Sequence, residues 1–190
     1  MARPKSEERR RAILNALTET VALRGLSAST LTVAKLARVS EGTIFKYFTT
    51  KDELLNALYR ELKLETVDVL VSGFPRRLSV RARLQHVWDR YVEWGCDNSA
   101  KFQALQQLIL WGGLTDQARA TGIQQFENVR QIYRDAMEQR LWRPISEELV
   151  GAAMTALSEM TVRMIQKYPE DAVKYRESCF EMLWRGFHKE

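Results

Sequence analysis

Thr43, Lys46 and Tyr47 bring a hydroxyl, an ammonium and a phenol into one short segment. The chemistry such groups perform together is recognition: threonine can meet a base edge or methyl group, lysine a base or phosphate, and tyrosine a phosphate. The stretch that carries them, Val33 to Leu55 (VAKLARVSEGTIFKYFTTKDELL), reads as two short helices, a three-residue turn and a third, capped helix. Val33, Ala34 and Ala37 give the first helix a small-residue face, and Arg38, Val39 and Ser40 interrupt it. Small residues let the next helix cross closely, which suits a helix-turn-helix. In that next helix Ile44, Phe45 and Phe48 are expected to point inward, leaving Glu41, Thr43, Lys46 and Tyr47 outward. Thr50-Lys51-Asp52-Glu53 has the Thr-x-x-Glu spacing of a capped helix start, and the free amides there, with Lys51 beside them, make a seat for a phosphate. Thr30, Ser40 and Lys51 are expected to position a nucleic acid, whereas Glu41, Thr43, Lys46 and Tyr47 are the candidate readers.

The stretch VSEGTIFKYFTTKDELL resembles the signature of the TetR family of transcriptional regulators, and the resemblance spans residues 6–55. The opening MARPKSE, the stretch EGTIFKYFTTKDELLNALY and the later Tyr-x-x-Trp-Gly and Met-Leu-Trp-Arg segments are similar to RamR-like, multidrug-responsive repressors of that family. The resemblance implies an all-α fold, with a helix-turn-helix DNA-binding head over residues 1–50 and a helical ligand-binding and dimerisation body over residues 51–190. It also implies a homodimer that holds a double-stranded DNA operator and is released by a small hydrophobic or cationic effector. Arg38 departs from the pattern, standing where the family usually places a glycine to supply a left-handed turn.

Charge agrees with a basic head. Residues 1–60 hold 11 Lys and Arg against 6 Asp and Glu, while residues 61–190 hold 18 against 18, so the whole net charge of +5 lies in the first third. A basic module joined to a neutral one suits a nucleic-acid head on a ligand-binding or oligomerising body. No apolar run is long enough to span a bilayer and no apolar segment follows the N-terminal charges, so a cytoplasmic protein with no membrane partner is expected. Cys96 and Cys179 fit neither a disulfide framework nor a zinc site.

The elements that must position the head follow from periodicity. Ser6 precedes Glu7 and Glu8, and Ile13, Leu17 and Val21 then recur every four residues, marking a capped helix that ends near Gly25. Lys51 opens a helix of about 20 residues that links head to body, with no breaker before Gly73-Phe74-Pro75. Helices are expected beyond it over Ser79–Asp97, Ala100–Trp111, Asp116–Trp142 with a bend near Gly122, Glu147–Tyr168 and Glu170–His188.

Two of these helices are apolar on more than one side. Leu149, Ala153, Ala156 and Leu157 line one, and Phe180, Leu183, Trp184 and Phe187 the other, so all eight are candidates for a four-helix dimer interface. For the effector, Tyr59, Lys63, Thr66 and Leu70 share a face of the linking helix. Trp88, Tyr91, Phe126, Tyr133 and Met154 add an aromatic and thioether lining suited to a flat, apolar or cationic molecule. The same residues also suit a plain core, and a body that binds another protein with no effector stays open as the alternative. His86 and His188 accompany no nucleophile elbow, metal pair or phosphate loop, so no enzyme, metal or cofactor is expected.

Overall fold

The computed structural model describes residues 3–189, and among these every regular element is helical. Ten α-helices follow in order: α1 (Arg3–Arg24), α2 (Thr30–Ala37), α3 (Glu41–Tyr47), α4 (Lys51–Val71), α5 (Val80–Asp97), α6 (Ser99–Ile109), α7 (Asp116–Arg119), α8 (Glu127–Glu138), α9 (Glu147–Lys167) and α10 (Ala172–Phe187). Two compact units form: one takes the chain up to Glu65 together with Asn98–Thr121, the other Thr66–Asp97 together with the chain from Gly122 onward. The division between these compact units falls inside α4.

In the first unit α1 packs on α2 and α6, and α2 on α3. Ile13, Leu14, Leu17 and Val21 of α1 are fully buried, as the four-residue repeat requires. Two details differ from expectation. The helix starts at Arg3, so Ser6 lies within it rather than capping it. At its end Gly25 adopts φ +76 and donates its N–H to the Val21 carbonyl at 2.9 Å, closing the helix in the left-handed conformation glycine allows.

Asn56 of α4 ties this unit together. It is 3% exposed, donates to the Asp52 and Gly113 carbonyls at 2.8 and 3.0 Å, and accepts from the Thr115 N–H at 2.9 Å. A buried amide is tolerated only when it is bonded in this way. Thr115 in turn caps α7, accepting from the Ala118 N–H at 3.2 Å.

The single long helix expected over Asp116–Trp142 is instead α7 and α8, separated by the turns of 120–126. Gly122 sits at φ +78, which a right-handed helix cannot contain, so the expected bend is a complete break. A 3-10 turn at Pro169–Asp171 likewise precedes α10.

The second unit packs α5 against α8, α9 and α10, and α9 against α10. Trp88, Val87 and Val92 of α5 and Phe180 and Leu183 of α10 fill its core. A buried arginine is also held there: Arg83 of α5 reaches Asp135 of α8 at 2.6 Å. The Gln131 amide donates to the same carboxylate at 2.6 Å, and these two hydrogen bonds, with Arg83's charge, hold Asp135 below the ordinary carboxylate range.

Asp135→Ala leaves the Arg83 charge buried without its partner, a change that costs about 3 kcal/mol. Thermal unfolding should therefore show a melting temperature roughly 10 °C lower. Because the folded pKa is depressed, the stabilisation is fully present above the ordinary value of about 4 and is lost as pH falls through the lower folded one. The gap between wild type and variant should close in acid.

Candidate nucleic-acid interface

Each short helix of the head is pinned at both ends. Ser29 caps α2 by accepting from the Thr32 N–H at 3.2 Å, and Ser40 caps α3 by accepting from the Thr43 N–H at 3.1 Å. Between them Arg38 takes φ 56, ψ 42, the left-handed geometry that glycine would adopt more easily, and its N–H points back at the Ala34 and Lys35 carbonyls. The Val39 N–H closes on Ala34 at 3.0 Å. Arginine at this position therefore keeps the turn that the pattern requires, at a conformational cost.

At the start of α4 the Thr50 hydroxyl accepts from the Glu53 N–H at 3.1 Å, and the Glu53 carboxylate accepts from the Thr49 N–H at 2.6 Å. The Thr50 half of the capping box forms as expected, while the return bond from Glu53 reaches the Thr49 N–H, one residue before the cap.

The candidate readers fall into three environments. Lys46 is exposed on α3, whereas Thr43 and Tyr47 are half-buried. The Thr43 hydroxyl lies 2.8 Å from the Ser40 hydroxyl, so Ser40 fixes both the backbone and the side chain of Thr43. Glu41 accepts a hydrogen bond from Thr30, joining the start of α2 to the start of α3. Lys51 is half-buried at the first position of α4.

One inward assignment is corrected. Ile44 and Phe48 are buried, but Phe45 is 45% exposed. Successive helical residues turn by about 100°, so Phe45 is carried well round from Ile44 while Phe48, four on, returns beside it. Projecting α3 as a wheel reveals that face, with Gly42, Phe45 and Lys46 outermost; grouping the apolar residues by type alone conceals it. Arg10 of α1 lies over the Phe48 ring at 5.7 Å and helps to fix the buried side.

The proposed effector residues divide between the units. Tyr59 and Lys63 belong to the first; Thr66, Leu70, Trp88, Tyr91, Phe126, Tyr133 and Met154 to the second. Burial raises the Tyr59 phenol and lowers the Lys63 ammonium. Thr66 and Leu70 are buried, and Phe126 and Met154 half-buried. Trp88 is fully buried, donates its indole N–H to the Arg176 carbonyl at 3.0 Å, and packs on Phe180. Tyr91 stacks on Trp94 with centroids 6.1 Å apart, and Tyr133 donates to the Ile145 carbonyl at 2.8 Å.

The α9 and α10 faces also separate. Phe180, Leu183, Trp184 and Phe187 are already buried within their own unit, which corrects their assignment as a surface awaiting a partner. Trp142 packs against Trp184 and Phe187 and absorbs that side of α10. Leu149 and Ala156 are exposed, and Ala153 and Leu157 half-buried. Val173 and Met182 of α10 are also exposed, at 69% and 58%, but nine residues apart they lie on opposite sides of that helix.

The model for bacterial regulatory proteins of the tetR family matches residues 13–58, the segment from α1 to α4 just described. The whole chain superposes on solved regulators. A TetR-family transcription regulator from Marinobacter aquaeolei VT8 is 22% identical, with 99% of this chain and 100% of that one covered, at a TM-score of 0.85. The chain has the tetR-family fold. A TetR-family regulator from Haemophilus influenzae is likewise 22% identical over 95% of this chain and 99% of its own, at a TM-score of 0.72. The transcriptional regulator FadR from Bacillus subtilis, solved in complex with stearoyl-CoA, is 18% identical over 94% and 99%, at a TM-score of 0.67. No helix among the described residues is long and apolar enough to cross a membrane.

Arg38→Gly should relieve the left-handed turn and stabilise the protein by about 1 kcal/mol in thermal unfolding. Lys51→Ala should weaken binding to all DNA sequences alike and reduce the salt slope by about 1. Thr43→Ala, in contrast, should change preference among operators; equal relaxation by both variants across an operator library would contradict this division.

Proposed function

We propose that the protein is a dimeric, one-component transcriptional repressor that occupies an operator through its helix-turn-helix and leaves it when a small hydrophobic or cationic effector binds the body. The observation that carries this reading is the outer face of α3, which presents Lys46 to solvent while Ser40 holds Thr43 at its edge. Residues 1–50 act as the reading portion, and all the chain's excess positive charge lies within residues 1–60. That charge supplies the sequence-independent part of the affinity, and the side chains of α3 supply the sequence-dependent part.

Residues 51–190 act as the regulatory and dimerising portion. Leu149 and Ala156, exposed on α9 with half-buried Ala153 and Leu157 on the same side, offer a face to a second copy. Two copies present two heads, which suits an operator with two half-sites. A small-molecule effector gains support from the FadR protein of the same fold that was solved with stearoyl-CoA. Tyr59, Lys63, Thr66, Leu70, Tyr91, Phe126, Tyr133 and Met154 remain the proposed contacts, with multidrug-type compounds as the ligand class. Trp88 joins them only if its indole leaves the Arg176 carbonyl. To lower occupancy about a hundredfold the effector must favour the releasing state by about 2.7 kcal/mol.

Fluorescence anisotropy on DNA tiled across the gene's own upstream region, at fixed salt, tests the proposal. Tight binding to one tile, abolished by a cationic dye, is expected. Weak binding to every tile, unmoved by dyes, bile salts or planar cations, would contradict an effector-released repressor and favour a protein-binding body.

A further inference from the structure

Trp142, between α8 and α9, and His188, at the end of α10, oppose one another in an antiparallel bridge. The Arg143 N–H donates to the Phe187 carbonyl and the Lys189 N–H to the Leu141 carbonyl, both at 2.9 Å. Those bonds flank the 142–188 pair and do not join it. It is therefore the cross-strand arrangement whose side chains stand closest together on one face. Both rings lean on Trp184, with centroids 6.3 Å away for Trp142 and 5.3 Å for His188.

Each member of the pair brings a buried nitrogen with no hydrogen-bond partner in the chain: Nε1 of Trp142 and Nδ1 of His188. Trp142 is 3% exposed. The neighbouring polar tips are already bonded. Tyr133, with its ring centroid 6.3 Å from Trp142, gives its hydroxyl to the Ile145 carbonyl, and Trp88 of the same unit gives its indole N–H to the Arg176 carbonyl. Folded proteins seldom leave a buried donor unmet, because burial without a partner is destabilising. Two of them on one opposed pair point to something that binds there.

The chemistry of the pair selects the occupant. An indole nitrogen only donates, and an imidazole nitrogen donates in one of its tautomers, so two adjacent donors suit a group with two acceptor oxygens. The charges at the rim are positive. Arg143 is exposed, with Nη2 3.4 Å from the His188 carbonyl, and Lys189 follows, also exposed. Tyr133, Trp184 and Phe187, the last with its centroid 5.2 Å from Trp142, supply aromatic walls.

We propose that Trp142 and His188 bind the carboxylate of a small aromatic acid, the indole N–H donating to one oxygen and His188 Nδ1–H to the other. Arg143 and Lys189 draw the anion in, and residues 187–189 lift from 141–143 to admit its ring. The site lies wholly within the second unit. It shares only Tyr133 with the effector contacts proposed above and favours the opposite charge from a cationic effector. It goes beyond the repressor reading and does not depend on it.

Benzoate and benzylammonium test the site, since they carry one ring on an acceptor anion and on a donor-only cation. The five tryptophans give five indole N–H signals in a nitrogen-15 spectrum of the full-length protein. The Trp142 signal is the one missing from Trp142→Phe; should that variant not fold, its proximity to Phe187 protons identifies it in the wild type. Benzoate should move that signal downfield and saturably, because a hydrogen bond deshields the proton, and benzylammonium should leave it in place. His188→Phe keeps a ring on Trp184 but removes the nitrogen, and benzoate affinity should fall about tenfold.

A Trp142 signal that benzoate does not move, equal movement by benzylammonium, or undiminished benzoate affinity in His188→Phe would overturn the inference. DNA binding and its release by a dye are read separately by anisotropy, so either proposal can fail while the other stands.

Discussion

A seven-residue helix cannot hold itself in water, and the outer face of α3, proposed to read DNA, depends on the interactions that hold the helix. Nucleating so short a helix is unfavourable, and most of its amides and carbonyls lie within a turn of one end. The Ser40 cap, the left-handed Arg38 turn and the burial of Ile44 and Phe48 supply what the helix lacks. They also set its rotation about its own axis. Turning α3 by about half a revolution would bury Lys46 and expose Ile44, so the core on one face and the outer strip on the other follow from a single constraint.

The same economy of short elements recurs through the first unit. Ser29, Ser40, Thr50 and Thr115 each accept an N–H at a helix start, and Asn56 bonds two backbone groups of the segment leading into α7. Position is thus set by directed hydrogen bonds in places where apolar area is scarce. The second unit works differently: large aromatic residues on α5 and α10 fill its core, and buried Arg83 of α5 pairs with half-buried Asp135 of α8. A local change in the first unit should act mainly on the reading surface, and one in the second mainly on stability and on whatever the body binds.

Much of this was legible in the sequence because local rules govern it. The cap at Thr50, the end of α1 at Gly25 and the long α4 all follow from patterns a few residues wide, whereas the Ser40 cap was not read from the sequence. Side-chain orientation was legible only where the wheel was respected: Ile44 and Phe48 point inward as expected, and Phe45 does not. The break between α7 and α8 depended on Gly122 adopting positive φ, which composition permits but does not require. On α10 the apolar residues are real, but sequence cannot say whether Phe180, Leu183, Trp184 and Phe187 face their own unit or another chain. Tertiary packing against Trp88 and Trp142 decides that question.

The central claim is that α3 and the turns at its two ends are the surface that meets DNA. Hydrogen–deuterium exchange on the protein alone and bound to its tightest DNA tile tests it directly. The account predicts new protection concentrated over residues 38–55, with the amides of α3 and the start of α4 slowed most. Tight binding that left exchange over 38–55 unchanged, with protection appearing elsewhere, would contradict it.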